Sequence, residues 1–360
     1  MRRRLDSHAA AVVAALLSWP VFLLFRTHVL NPDGNGFTPK FEADVPRVGA
    51  HVTHDEMLEL FVHSRFWFHT HGWWGWSVVQ SYQVLSCAAG ACFVYVLFRL
   101  ARRLAPEAPL LIVAGVLAGG YMQLFFGDVE NYTMTAVFIA LYVLAALRYV
   151  VGESPLWVPA VALATAASFH LESAWLGPSL LYLCALSRQR SGDDRAAIRS
   201  LAAATFVVLA TVVYMEFHGL PLRRFFSSHA GEAIRMKGMF SFTMPASYFL
   251  EQLRLLLLLC PVVVIAVPLV GWRAPHDQTD AFLAIAAAST MVFQFTWKSQ
   301  IGVFNDWNLY AVNGLMLAFW LWRRLAIAAR APWLRAAAFA LAALCAWPTY
   351  AWILANHAGG

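Results

Sequence analysis

Apolar residues run along this chain in blocks of about 20, the length that crosses hydrocarbon as a helix rising 1.5 Å per residue. Eleven such runs are read, at 9–30, 76–99, 108–126, 132–151, 155–171, 174–187, 200–217, 249–271, 279–297, 308–328 and 333–354. The runs at 155–171 and 174–187 are short and Pro178 interrupts the second, a pattern of tilted or partly re-entrant helices. Two polar segments between runs are long, from Asn31 to about Trp74 and from His218 to about Tyr248. In the first, a helix would align Asp55, Glu59 and His63 on one face and offer Met57 and Phe61 on an apolar side. The aromatic cluster Phe66, Trp67, Phe68, Trp73, Trp74 and Trp76 suits the headgroup level of a bilayer. The pattern predicts an all-α polytopic membrane protein of about eleven transmembrane helices. It has one transmembrane domain over 1–360, a first outer loop at 31–75 with an amphipathic surface helix, and a second, basic outer loop at 218–248.

Composition agrees. Hydrophobic residues make up 60% of the 360 positions and charged ones 13%, against about a quarter charged in a soluble domain. The net charge of +6 forms no single patch, because most basic residues punctuate the ends of apolar runs. That distribution argues against a nucleic-acid partner. All five cysteines (Cys87, Cys92, Cys184, Cys260 and Cys345) fall inside apolar runs, where they act as small hydrophobes. The run 9–30 is longer than a signal-peptide core and no small-x-small cleavage site follows it, so it reads as an uncleaved anchor.

Charge also sets the orientation. With the N-terminus in the cytoplasm, 16 of the 26 basic residues fall on the inner side, including Arg99, Arg103, Arg190, Arg323 and Arg324. The same frame sends 13 of the 20 acids outside, with 10 of the 12 histidines. Topology does not require this second segregation, since acids contribute little to orientation. Function supplies a reason for it.

The tight outer turn Phe125-Phe126-Gly127-Asp128-Val129-Glu130-Asn131-Tyr132 packs two carboxyls, an amide and a phenol between two spans, more than a turn needs. His170 and Glu172 lie at the outer end of another span, and Asp306 precedes the tenth. Asp33 follows the first span within Asn31-Pro32-Asp33-Gly34-Asn35-Gly36, a turn signal that also carries an acid. His51, His54 and Asp55, next to Glu56, have the ligand types of a divalent-metal site, although the spacing matches no closed zinc pattern. Arg223, Arg224, Arg235 and Lys237 are on the side where positive charge is usually sparse, and Lys298 approaches the same face. Such cations suit a phosphate.

Acids that deprotonate a hydroxyl, cations that stabilise a departing phosphate and an apolar flank for a lipid tail together define one reaction. It is transfer of a sugar from a polyprenyl-phosphate donor to an acceptor hydroxyl. Asp33 or Asp55 would be the base, with Glu56 a further catalytic acid and Asp128, Glu130 and Asp306 shaping the sugar or metal site. Asn131, Tyr132, His170 and Glu172 would contact the acceptor or neighbouring acids. The five cations would hold the donor phosphate. A transporter or flippase of lipid-linked substrates is the main alternative, and a non-catalytic membrane scaffold the second. Transport calls for ionisable groups near mid-membrane, whereas the spans carry little beyond Gln80, Gln83, Gln123 and Gln294.

The layout resembles the GT-C superfamily of membrane glycosyltransferases, whose members include protein mannosyltransferases and the lipid A aminoarabinose transferase. Asp33 holds the acidic position after the first span, and Val52–Trp67 corresponds to the surface helix. The Gly127–Tyr132 turn and His170 look like features of bacterial proteins grouped with that superfamily. An Asp-Glu or Asp-x-Asp directly after the first span is absent, and Asp55-Glu56 comes later in the loop. That departure leaves the identity of the base open among these acids. The resemblance implies a polyprenyl-phosphate sugar as donor and a glycan, lipid or protein as acceptor. It also implies a bacterial cytoplasmic (inner) membrane location with the active face extracytoplasmic.

Overall fold

The structure, a computed structural model, describes residues 2–30, 32–43, 56–217, 245–272, 275, 277–299 and 301–359. Among these residues the chain is helical, without strands. The helices are α1 Arg2–Leu24, α2 Pro32–Ala43, α3 Met57–Trp74, α4 Val78–Leu104, α5 Pro109–Leu117, α6 Thr133–Val150 and α7 Trp157–Phe169. They continue as α8 Gly177–Ser191, α9 Arg195–Phe217, α10 Ala246–Leu259, α11 Val263–Ala266, α12 Gln278–Thr296, α13 Ala311–Ala328 and α14 Pro332–Ala358. Short 3-10 turns at Gly120–Phe125, Leu171–Leu176 and Trp307–Tyr310 carry the chain into α6, α8 and α13.

Each predicted apolar run contains helix. Among the described residues, five helices (α4, α6, α9, α12 and α14) are long and apolar enough to cross a membrane, and a bent pair makes six. The run at 249–271, expected as one span, is that pair: α10 and Val263–Gly271 meet at 100°. Pro261 sits at the break, where it has no N–H to donate and its ring would clash with the carbonyl four residues back. Small residues accept the bend. A Cβ on Gly120 would lie 2.5 Å from the Leu258 carbonyl oxygen, and one on Gly314 would lie 2.7 Å from Leu259 Cβ.

The α4 helix lies between α1 and α6, α6 continues through α7 to α9, and α12 pairs with α13. Almost every turn of α6 is buried, whereas α9 buries only Ser200 and Met215. Leu16, Phe206, Leu344 and Trp347 stand exposed on α1, α9 and α14. An apolar exterior on helices of this length belongs in lipid. The chain is an integral membrane protein.

Local sequence joins the surface helix to the first long span. Gly75 takes a left-handed φ of 68° and closes α3 on the His71 carbonyl. Two residues on, Ser77 opens α4 with a capping box: its hydroxyl accepts from Gln80 N at 3.1 Å, and Gln80 Oε1 accepts from Ser77 N at 2.9 Å.

The two ends of the bundle differ in charge. At one end, Arg190 donates to the Val150 carbonyl at the close of α6, at 2.7 Å. Arg324, buried, grips Asp280 through Nε at 3.2 Å and Nη2 at 2.8 Å, and also donates to the Val270 carbonyl. Its neighbour Arg323 reaches Asp277 at 2.7 Å, and Asp277 caps α12 by accepting from Asp280 N at 2.8 Å. Arg323 and Arg324, which sequence explains as orientation signals, are therefore also a buried lock between α12, α13 and the bent pair. Acids gather at the opposite end.

Candidate functional site

The acidic end is built around the turn from Gly127 to Tyr132. Gly127 has φ +72°, and a Cβ there would lie 2.9 Å from Arg26 Cβ, so the turn demands glycine twice over. Thr27 N bonds the Phe126 carbonyl at 2.7 Å, Gln83 Nε2 bonds the Thr27 carbonyl at 2.8 Å, and Ser86 Oγ bonds the Asp128 carbonyl at 2.7 Å. Asp128, Glu130, Asn131 and Tyr132 are all buried. The segment after α1, read from sequence as a turn, is instead helix, opened by Pro32 in the first turn where a missing N–H costs nothing. Gly34 brings this helix against the acidic turn, since a Cβ there would lie 2.6 Å from the Val129 carbonyl oxygen. Asp33 thus occupies the first turn of a helix seated on the turn that carries Asp128 and Glu130.

Glu59 fastens α3 to the same place. The first turn of α6 has no cap from its own Tyr132, and its donors converge on the Glu59 carboxyl from another helix. Oε1 accepts from Met134 N at 2.9 Å and Thr133 Oγ1 at 3.2 Å, while Oε2 accepts from Thr135 N and Thr135 Oγ1, both at 3.2 Å. A carboxyl at a helix N-terminus meets unpaired amides and the positive end of the dipole. Glu59 and His63 were expected on the polar face of a surface helix, but both are buried against the bundle. His63 stacks on Tyr82 with ring centres 3.9 Å apart. Burial pulls its imidazole down to about 4, outweighing the bond to the Glu59 carbonyl. Sequence reasoning missed Glu59 as a site residue, because its partners lie more than 70 positions away in the chain.

Glu56, one residue before α3, reaches the centre. Its Oε2 accepts from Asn131 Nδ2 at 3.0 Å, and Asn131 Oδ1 in turn accepts from the Tyr82 hydroxyl at 3.1 Å. Its Oε1 lies 3.6 Å from His170 Nε2. His170 Nδ1 accepts from Glu172 N at 3.2 Å, so the neutral ring carries its proton on Nε2, facing Glu56. Tyr132 packs on His170 with ring centres 4.5 Å apart. Glu172 is buried beside them, and neither of its oxygens has a hydrogen-bond partner among the described residues. Asp306, half-buried, is near enough for its charge to act on Glu172. Loops distant in sequence thus bring Glu56, Asn131, Tyr132, His170, Glu172 and Asp306 to one end of the bundle.

Burial dominates the acid–base state of these carboxyls. It pushes Asp128 up to about 8, against one backbone N–H from Val129. It also pushes Glu172 up to about 8, with His170 pulling down and Asp306 pushing further up. Glu59 reaches about 7 despite hydrogen bonds from Met134, Thr135 and Thr133. The unfolded chain releases such protons at the ordinary values of 3.8 and 4.5, well below the folded chain. The contribution to stability is therefore full in acid and is lost as pH rises through about 8. The melting temperature of the detergent-solubilised protein is expected to fall from about pH 5 to about pH 9, and Asp128→Asn with Glu172→Gln should flatten the slope. An unchanged slope in that double variant would contradict the assignment.

Lys298 is exposed just beyond α12. His51, His54, Asp55, Arg223, Arg224, Arg235 and Lys237 lie outside the described residues. Among the described residues, no group of three or more His, Cys, Asp or Glu side chains is placed to hold a metal ion. At the far end of α3, Trp67, Phe68, His69, His71, Gly72 and Trp73 line an open aromatic cleft next to the exposed Trp74.

No family pattern and no curated protein matches the sequence. Solved structures do match. The crystal structure of ArnT from Cupriavidus metallidurans bound to undecaprenyl phosphate aligns with a TM-score of 0.61 at 18% identity, covering 94% of this chain and 63% of that one. The fold is ArnT-like. The apo state of the same protein aligns with a TM-score of 0.61 at 16% identity, covering 92% and 61%. The remote likeness anticipated from the loops is thus present in the fold. This chain spans about three fifths of the length of the ArnT chains it matches.

Proposed function

We propose that this protein is a membrane glycosyltransferase that moves a hexose or pentose from a polyprenyl-phosphate donor to an acceptor hydroxyl. The observation that carries the reading is the Glu56 carboxyl, held by Asn131 and facing His170, at the acid-rich end of an ArnT-like frame. In the step proposed, the acceptor oxygen attacks the anomeric carbon and its proton passes to a carboxylate. The bond from that carbon to the phosphate oxygen breaks, and its electron pair leaves with polyprenyl phosphate. Glu56 is the base favoured by this geometry, with Asp33 and Asp55 as the alternatives on the same loop. Glu130 and Asp306 stabilise positive charge developing on the sugar ring, and Asp128 and Glu172, which burial keeps protonated, hydrogen-bond the sugar as neutral carboxyls. Arg223, Arg224, Arg235, Lys237 and Lys298 take the phosphate, and His51, His54 and Asp55 are the candidates for a divalent ion.

The proposal includes the membrane frame. Eleven crossings, with 31–75 and 218–248 as outer loops of one domain, put the N-terminus in the cytoplasm and the acidic end outside it. Arginines clustered at the opposite end of the bundle support that orientation. A bacterial inner membrane and a cell-envelope acceptor (glycan, lipid or protein) follow from the same reading. Because ArnT binds undecaprenyl phosphate, mass spectrometry of lipid extracted from the purified protein is the direct test. A polyprenyl phosphate or its sugar conjugate is expected. Recovery of ordinary phospholipids alone, with no uptake of added undecaprenyl phosphate, would sink the donor assignment. The bent pair at Pro261 is the one feature that favours the transport reading. Lipid flipping by liposomes holding the protein, with no sugar transferred, would establish it.

A further inference from the structure

Lys298 is held from both sides by one phenol. The Tyr248 oxygen accepts from Ser299 N at 2.7 Å and lies 3.3 Å from the Trp297 carbonyl. These are the backbone groups immediately before and after Lys298. Tyr310 donates to the same Trp297 carbonyl at 3.0 Å, and its hydroxyl lies 3.2 Å from that of Tyr248. The fourth neighbour is Gln252, whose Nε2 donates to the Tyr248 oxygen at 3.2 Å. Gln252 Oε1 accepts from Gln294 Nε2, and Gln294 Oε1 accepts from Asn313 Nδ2 at 2.9 Å. Gln252, Gln294 and Asn313 are buried. Each amide fixes the orientation of the next, so the Tyr248 oxygen accepts from Gln252 and Ser299 and its proton is left for Trp297 or Tyr310.

Such a relay could serve packing alone, but its end point is specific. At Trp297 the backbone leaves α12 in an extended conformation, with φ −94° and ψ 129°. Lys298 follows, exposed, with no side-chain partner among the described residues. The same loop then returns through Asp306 to Tyr310, which belongs to the relay. An exposed cation on the loop that carries Asp306, with its backbone clamped by a buried phenol, is a fixed anchor for an anion. Pre-organising a cation removes the ordering cost that a flexible lysine otherwise brings to binding.

We propose that Tyr248 is a positioning residue that fixes Lys298 to take the phosphate group of the lipid donor, an inference that rests on the lipid-linked donor proposed above. The test measures binding of undecaprenyl phosphate and of the uncharged alcohol undecaprenol to the full chain in nanodiscs. Wild type is expected to prefer the phosphate. Tyr248→Phe removes one oxygen and should reduce phosphate affinity about tenfold, as should Lys298→Met, with little added loss in the double variant. Undecaprenol binding should stay at the wild-type level in all three. That arm separates positioning from folding, because a merely structural defect weakens both ligands together. Wild-type preference in Tyr248→Phe, or equal loss of both lipids, overturns the role of Tyr248 and leaves the donor reading intact. Absence of any phosphate preference in wild type removes the donor reading itself, and this inference with it.

Discussion

Replacing Glu56 with glutamine is expected to slow sugar transfer by about 10²- to 10⁴-fold, the usual contribution of a positioned general base. The substitution keeps an oxygen that can accept from Asn131, so the bond at 3.0 Å can survive while the basic oxygen facing His170 is lost. Binding of undecaprenyl phosphate should change little, since the donor phosphate is assigned to cations and not to this carboxyl. A fall in rate with unchanged donor affinity identifies an interaction made only in the transition state. The competing assignment is Asp33, on the helix that Gly34 seats against Val129. Full activity in Glu56→Gln, together with a collapse in Asp33→Asn, would move the base to that helix.

The second large effect is expected at Glu59. Alanine there strands two backbone amides and two threonine hydroxyls that now converge on one carboxyl. Loss of a helix cap costs about 0.5–2 kcal/mol and each buried donor left unpaired about 1–3 kcal/mol. Water entering the vacated space recovers part of this, so a net loss of about 2–4 kcal/mol is the expectation. The loss is not confined to stability. Glu59 pins the first turn of α6, and Asn131 and Tyr132 immediately precede that turn, so the acidic cluster should loosen and transfer should fall with it. Thermal denaturation and transfer assays on Glu59→Ala, with Glu59→Gln as the milder control, measure both. An unchanged melting temperature in the alanine variant would mean that α6 holds its start without help from α3.

Much of the fold is legible in the pattern of apolar runs, because hydrocarbon imposes a length that sequence displays directly. Pro261 marks where that inference fails: an apolar stretch can satisfy the length and still be two helices. The Asp128–Tyr132 turn stands out because four polar side chains exceed what a hairpin needs. Glu59 and Tyr248 do not stand out. One reads as half of an amphipathic face and the other as an aromatic at a helix start, and only their long-range hydrogen bonds reveal their work. Arg324 is hidden for a different reason. A count of basic residues absorbs it as an orientation marker, although the structure buries it against Asp280.

That buried pair bears on how the protein enters the bilayer. Asp280 begins α12 and Arg324 lies near the close of α13, 44 positions later. A lone charge facing lipid is costly, so neither helix is comfortable there by itself. Together they neutralise one another, which favours release of α12 and α13 from the translocon as a single hairpin. In the orientation proposed above, the loop between them, which holds Lys298 and Asp306, would then cross during biogenesis as the closed end of a hairpin whose other end is already locked side by side.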